Sequence, residues 1–213
     1  MASFDASRGR PILLNLVKAV QGQKEYLSDI DGQIGDGDHG INMAKGFRLF
    51  ADQMGERETV LSDGLKSLSK VLMTKIGGSM GPLYGMFFRS MAKACDGKEV
   101  IDSAGFGEMI AGGRDGIEGI SKAKPGDKTL MDALVPAHDA YVRGLENGLD
   151  FTGCLDAMTR AAQAGRDSTA NLVSKVGRSS RLGERSRGVI DAGAASCCLI
   201  LETMAGSMKE LLG

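Results

Sequence analysis

DAGAASCCLILETMAGSM, residues 191–208, places apolar or small residues at Ala194, Cys197, Cys198, Leu201, Met204, Ala205 and Met208. Steps of three and four recur through the run, the period of a helix with one buried face. Asp191 ahead of it is the residue type that accepts hydrogen bonds from unpaired N–H groups, so it marks the N-cap. Outward from this stretch the same period returns almost everywhere. Ile12, Leu13, Leu16, Val17, Val20 and Leu27 mark a first helix from Pro11, and Met43, Phe47, Leu49 and Phe50 a second. Leu65, Leu68, Val71 and Leu72 mark a third, and Tyr84, Phe87, Phe88 and Met91 a fourth. Residues 106–120, 129–145 and 154–173 supply three more, the first weakened by Gly112, Gly113, Gly116 and Gly119. No sustained period-two segment with hairpin turns interrupts them. The pattern predicts an all-α protein of about eight helices in antiparallel succession, because the connections are short. Neither a linker nor an internal repeat divides residues 1–213, so one domain is expected.

The composition narrows the function. At 213 residues, 42% hydrophobic and 25% charged, the chain can bury a sizeable core and is not a disordered sequence. Twenty-six basic against 27 acidic residues leave a net charge of −1, which argues against nucleic acid or anionic membrane as a partner. Aromatics at 5% with no Trp argue against a base-stacking surface. No apolar run approaches the roughly 18 residues of a membrane span. Residues 1–11 lack the apolar core of a signal peptide, so a soluble, cytoplasmic protein is expected. The four cysteines form neither a C-x-x-C pair nor a Cys–His cluster, and Cys197 and Cys198 read as small buried hydrophobes. Glycine is the outlier: 31 residues, about twice the usual share of roughly 7%. Many stand in short runs beside polar residues, as phosphate-cradling loops require.

Three of these runs carry chemistry. In 31–40, DGQIGDGDHG, three carboxylates fall within eight residues and are separated by glycines. Folded together without a cation they would repel, and oxygen-only ligands suit a hard ion such as Mg²⁺. An EF-hand does not fit: read from Asp29, the sixth position is Ile34 and the twelfth Gly40, where Gly and Glu are required. The plainer alternative is a solvated acidic turn in which Asp38 or His39 caps the next helix. The run Gly77-Gly78-Ser79-Met80-Gly81-Pro82 opens a helix and could offer N–H groups to phosphate, without the Gly-Lys-Ser/Thr ending of a Walker loop. A simple helix–helix turn fits it equally. Gly126-Asp127-Lys128-Thr129 is a turn in which Asp127 or Thr129 caps the adjoining helix. The loop 177–187 holds Arg178, Arg181, Arg185 and Arg187 beside serines, suited to a polyphosphate or else to solvent. His138 lies mid-helix and reads as a core or surface histidine. In an up-and-down bundle alternate loops share one end, so 31–40, 77–82, 121–129 and 177–193 can gather around one ligand. Metal plus phosphates is the reading; the residues alone name no substrate.

GDGDHGINM at 35–43, GPLYG at 81–85, GDKT at 126–129 and GERS at 183–186 together resemble the nucleotide-binding L domain of dihydroxyacetone kinases, in the same order and across essentially the whole chain. The resemblance implies an eight-helix antiparallel up-and-down barrel with its nucleotide–metal site in the loops at one end. It implies two Mg²⁺ ions on Asp31, Asp36 and Asp38, and ADP or ATP contacts from His39, Asn42, Gly78, Ser79, Leu130, Arg178, Asp191 and Gly193. It assigns Arg178 and His39 to catalysis, Arg178 by charge stabilisation. It further implies a kinase subunit whose small ketose is held by a separate K-type subunit, through a histidine that this chain lacks. A phosphotransferase-system protein as phosphodonor and a homodimer complete the expected partners. Serine is displaced by Met80 in the 77–82 loop, Ala192 replaces a usual proline, and Arg181 and Arg187 stand where apolar residues are usual. These departures point towards a four-carbon ketose, or towards a non-catalytic nucleotide-binding regulatory subunit. The three intact carboxylates favour a kinase.

Overall fold

The computed structural model describes residues 2–212. Helix α1 (Arg10–Gly22) opens on Pro11, at a position where proline's missing N–H is no loss, and buries Ile12, Leu13, Leu16, Val17 and Val20. The single helix expected for 11–27 breaks at Gln23, and α2 (Lys24–Ile34) begins beyond it. Residues 21–26 explain the break: their only large apolar side chain, Tyr26, is exposed, so nothing holds this stretch to the barrel wall. The chain continues through α3 (His39–Met54), α4 (Leu61–Lys75), α5 (Met80–Cys95), α6 (Ser103–Glu118), α7 (Met131–Glu146), α8 (Phe151–Ser168) and α9 (Ala192–Leu212).

Packing closes a ring. Helix α1 lies on α3, each of α3 to α9 lies on the next, and α9 returns to α1. That is the eight-helix barrel, with α2 outside it as a bracket between α3 and α9. The interior is one apolar core in which Phe47, Phe87 and Phe88 meet edge to face, the last pair with ring centroids 5.2 Å apart. Leu27 and Ile30 of α2 form a separate small cluster with Ala192 and Ala195 of α9. No described helix is long and apolar enough to cross a membrane.

The connections sort by end. Residues 55–60, 96–102 and 147–150 lie at the far end, where two short strands stand that the periodicity does not predict. Strand β1 (Ser3–Asp5) pairs antiparallel with β2 (Val100–Asp102), Phe4 opposite Ile101, and both of those side chains are buried. Three residues are too few to display a period of two. The other connections, 35–38, 76–79, 119–130 and 169–191, meet at the opposite end.

Candidate functional site

Those four connections surround a cavity of about 320 Å³. Asp31, on the last turns of α2, forms its acidic side together with Asp36 and Asp38, and one oxygen from each carboxylate lies within 4.8 Å of the others. Two glycines make this convergence feasible. A β-carbon at Gly35 would stand 2.5 Å from Asp31 Oδ1, and Gly37 turns at φ 75°, a left-handed conformation that disfavours other residues. Asp38 occupies the N-cap position of α3 yet its side chain makes no capping bond; the His39 N–H instead donates to Asp31 Oδ2 at 3.3 Å. Asp38 is thus not consumed by capping, while Asp31 accepts the first N–H of α3. Among the described residues the cation paired with the triad is Arg178, its Nη1 2.8 Å from Asp36 Oδ2 and its side chain largely exposed. Three clustered, solvent-facing carboxylates form an oxygen-only donor set that fits a hard divalent cation.

The cavity is also lined by apolar side chains, Met80, Leu83, Ile117, Leu130 and Met131, together with Gly78 and Ser79. Ser79 holds the N-cap position of α5 without a side-chain capping bond. Met80, bulky for a phosphate loop, is half-buried and packs with Leu83 against the core. One cavity therefore offers oxygen ligands, a guanidinium and a set of apolar side chains.

A further wall is the 169–191 segment: the helix expected to run to 173 ends at Ser168, and the polar loop expected over 177–187 lies within the segment. Residues 179–186 form 3-10 turns, broken at Gly183. Asp191 caps α9 as expected, Oδ2 accepting from the Ala194 N–H at 2.8 Å. Burial pushes its carboxyl up to about 7, with Asp132 and Asp31 adding like charge against the Ala194 hydrogen bond and Lys128. At the turn before α7, Thr129 Oγ1 accepts from the Met131 N–H at 3.2 Å. The larger contribution comes from Asp132, which accepts from Gly126 and Thr129 N–H groups at 2.5 and 2.7 Å. Asp127 instead accepts from the Lys124 N–H and pairs with Lys175. Sequence reading missed Lys128 altogether: its ammonium is buried among four main-chain carbonyls, 41 to 61 residues further along the chain. A lysine in a Gly-Asp-Lys-Thr turn carries no mark of such distant partners; only its place in a motif singled it out.

Of the residues expected at the site, Asp31, Asp36, Asp38, Asn42, Gly78, Ser79, Leu130, Arg178, Asp191 and Gly193 all line the cavity. His39 does not. Its ring turns into the protein, 5% exposed, with Nε2 2.9 Å from Ser196 Oγ. Ser196 Oγ in turn lies 2.6 Å from Tyr84 Oη, which donates to the Gly193 carbonyl at 3.2 Å. Burial pulls the imidazole pKa down to about 4, only partly opposed by Asp38, so the ring is neutral at pH 7. An imidazole hydrogen-bonded to Ser196, outside the cavity lining, is placed to tie α3, α5 and α9 together, and its catalytic assignment finds no support in this geometry.

The DAK2 domain family matches residues 33–206. Relatives include the ADP-binding subunit of PEP-dependent dihydroxyacetone kinase 2 from Listeria innocua serovar 6a, 35% identical over 93% of this chain and 93% of that one. The ADP-binding subunit of PEP-dependent dihydroxyacetone kinase 1 from the same organism is 40% identical over 87% of this chain and 88% of its own. Among solved structures, the dihydroxyacetone kinase of C. freundii in complex with AMP-PNP and Mg²⁺ shares the fold, with a TM-score of 0.67 at 24% identity. That match covers 92% of this chain, which spans 33% of the solved protein.

Proposed function

The chain belongs to the DAK2 domain family, and from that membership we propose that it is the nucleotide- and magnesium-binding, phosphoryl-transfer subunit of a dihydroxyacetone-type ketose kinase. The observation that carries the reading is the pairing, in one cavity, of three converging carboxylates and Arg178 with a set of apolar side chains. Asp31, Asp36 and Asp38 would hold Mg²⁺, two ions in this reading, and bound magnesium neutralises polyphosphate charge. The chain's own residues do the rest. Leu130, Met131 and Leu83 would receive the base, Gly78 and Ser79 would offer N–H and hydroxyl groups to phosphate, and Arg178 would add positive charge to the phosphoryl group. That group passes from the bound nucleotide to a hydroxyl of a ketose held by a separate K-type subunit. No nucleophile on this chain is required.

The matched relatives are named as PEP-dependent systems with an ADP-binding subunit, which supports a bound ADP that a phosphoprotein recharges rather than a freely exchanging ATP. The test is mass spectrometry of nucleotide released from exhaustively dialysed protein, with metal quantified alongside. Stoichiometric ADP with about two Mg²⁺ per chain is expected. An empty protein that takes up ATP reversibly would replace the phosphoprotein donor with free ATP. Absence of binding even with both ligands added would sink the site.

A further inference from the structure

Lys128 is 1% exposed, and its Nζ donates to the carbonyls of Thr169 at 2.8 Å, Ser186 at 2.7 Å, Val189 at 2.6 Å and Leu172 at 3.3 Å. An ammonium has three protons, so all are engaged by main-chain oxygens and one is shared. Thr169 and Leu172 lie where the chain leaves α8; Ser186 and Val189 lie where it approaches α9. The side chain therefore fastens together both ends of the segment 172–186, and Arg178 sits between them. Ser174 reinforces the closure, its N–H donating to Ser186 Oγ at 2.9 Å.

The backbone at Lys128 adds a second observation. Among the described residues it is the only non-glycine at positive φ, 64°. That conformation penalises a β-carbon and leaves glycine unstrained. If the turn alone mattered, glycine would serve better there; the lysine is explained by what its ammonium holds. Burial lowers the pKa of this ammonium and the Arg187 charge adds to that, while the carboxylates of Asp191 and Asp132 act in the opposite direction.

We propose that Lys128 is a positioning residue whose ammonium latches the 172–186 segment, keeps Arg178 against the acidic triad, and thereby sets how long the nucleotide stays bound. This rests on the reading of the cavity as the nucleotide site. The decisive variant is Lys128→Gly, which suits the backbone and removes the latch, and with it one side chain at the cavity edge. Release of a fluorescent ADP analogue is followed in Mg²⁺ by chase with unlabelled ADP. We expect Lys128→Gly to release the analogue about ten-fold faster or more, given the weight of charged hydrogen bonds. Arg178→Ala should also release faster, and the double variant should fall well short of the product of the two effects, because one acts through the other. Hydrogen exchange should quicken in 172–186 and stay unchanged in α4 to α6. Unchanged release, strictly multiplicative effects, or a Lys128→Gly chain that no longer folds would each overturn the latch. A wild-type protein that binds no ADP would instead sink the nucleotide reading, and hydrogen exchange alone would then judge the latch.

Discussion

The cavity end of the barrel leaves unbonded some side chains of the kind that the other end bonds to its own backbone. At the end closed by β1 and β2, Asp5, Asp102 and Asp150 each accept a main-chain N–H, from Ser7, Gly105 and Gly153, all at 2.7 Å. At the cavity end, Asp38 and Ser79 hold the N-cap positions of α3 and α5 and make no such bond. A good cap stabilises a helix by about 1 kcal/mol, so this end forgoes stabilisation in two helices and also keeps three carboxylates within repelling distance. Polar groups bonded to their own backbone hold the fold; those left unbonded are available to a ligand. Asp191 and Asp31 do both, accepting the Ala194 and His39 N–H groups while lining the cavity.

That contrast is broken most directly at Asp36. Asp36→Asn keeps the size of the side chain and removes one charge from the triad. Mg²⁺-dependent nucleotide affinity is expected to fall by about 100-fold or more, since even residues supporting a metal ligand are worth 10–100-fold. The unliganded protein should keep its melting temperature, because the lost Arg178 pair is largely exposed and the repulsion among carboxylates is relieved. Calorimetric titration with and without Mg²⁺, beside a thermal melt, separates the two. Intact binding with a lowered melting temperature would place Asp36 with the structural aspartates of the far end.

Most of this was legible in the sequence because it rests on local rules. Helical period identified the elements from α3 onward, and the glycine-spaced carboxylates identified the acidic side. What escaped depends on distance along the chain. The break at Gln23 required knowing that 21–26 finds no partner on the wall. The β1–β2 pair joins residues 3–5 to 100–102, and Lys128 reaches carbonyls on a segment that carries no pattern. His39 misled for a related reason. Its neighbours in sequence are the clustered aspartates Asp36 and Asp38, but its ring partner is Ser196, 157 residues away.

His39 allows the comparison to be sharpened by pH. Its folded pKa, about 4, lies below the unfolded 6.5, so the folded state resists protonation. The stabilisation this neutral ring contributes is complete above about pH 6.5 and declines as pH falls towards 4. Asp191 works in the other direction: with a folded value near 7 against 3.8, it favours the fold as pH drops below 7. The wild-type profile mixes the two, so the informative quantity is the difference between wild type and His39→Gln. That difference should shift against the wild type by about 2 kcal/mol between pH 7 and pH 5, read from urea melts at each pH. A pH-independent difference would mean that the imidazole titrates normally and is not sealed within the protein.

The smallest effects give the cleanest contrast, because residue type, position and substitution are all held constant. Asp102→Ala and Asp150→Ala each delete a carboxylate that accepts an N–H three residues on. Each should lower stability by about 1 kcal/mol, a drop of about 2–4 °C in melting temperature for a chain of this length, and leave nucleotide affinity unaltered. Asp38→Ala removes the same side chain from the same N-cap position at the other end, where there is no capping bond to lose. Its melting temperature should move less than that of either far-end variant, while its Mg²⁺-dependent binding collapses. If Asp38→Ala instead melted as early as Asp102→Ala, the aspartate would be capping α3 in solution. The acidic triad would then be short of one ligand, and the division of labour between the two ends would fail at the residue on which it most depends.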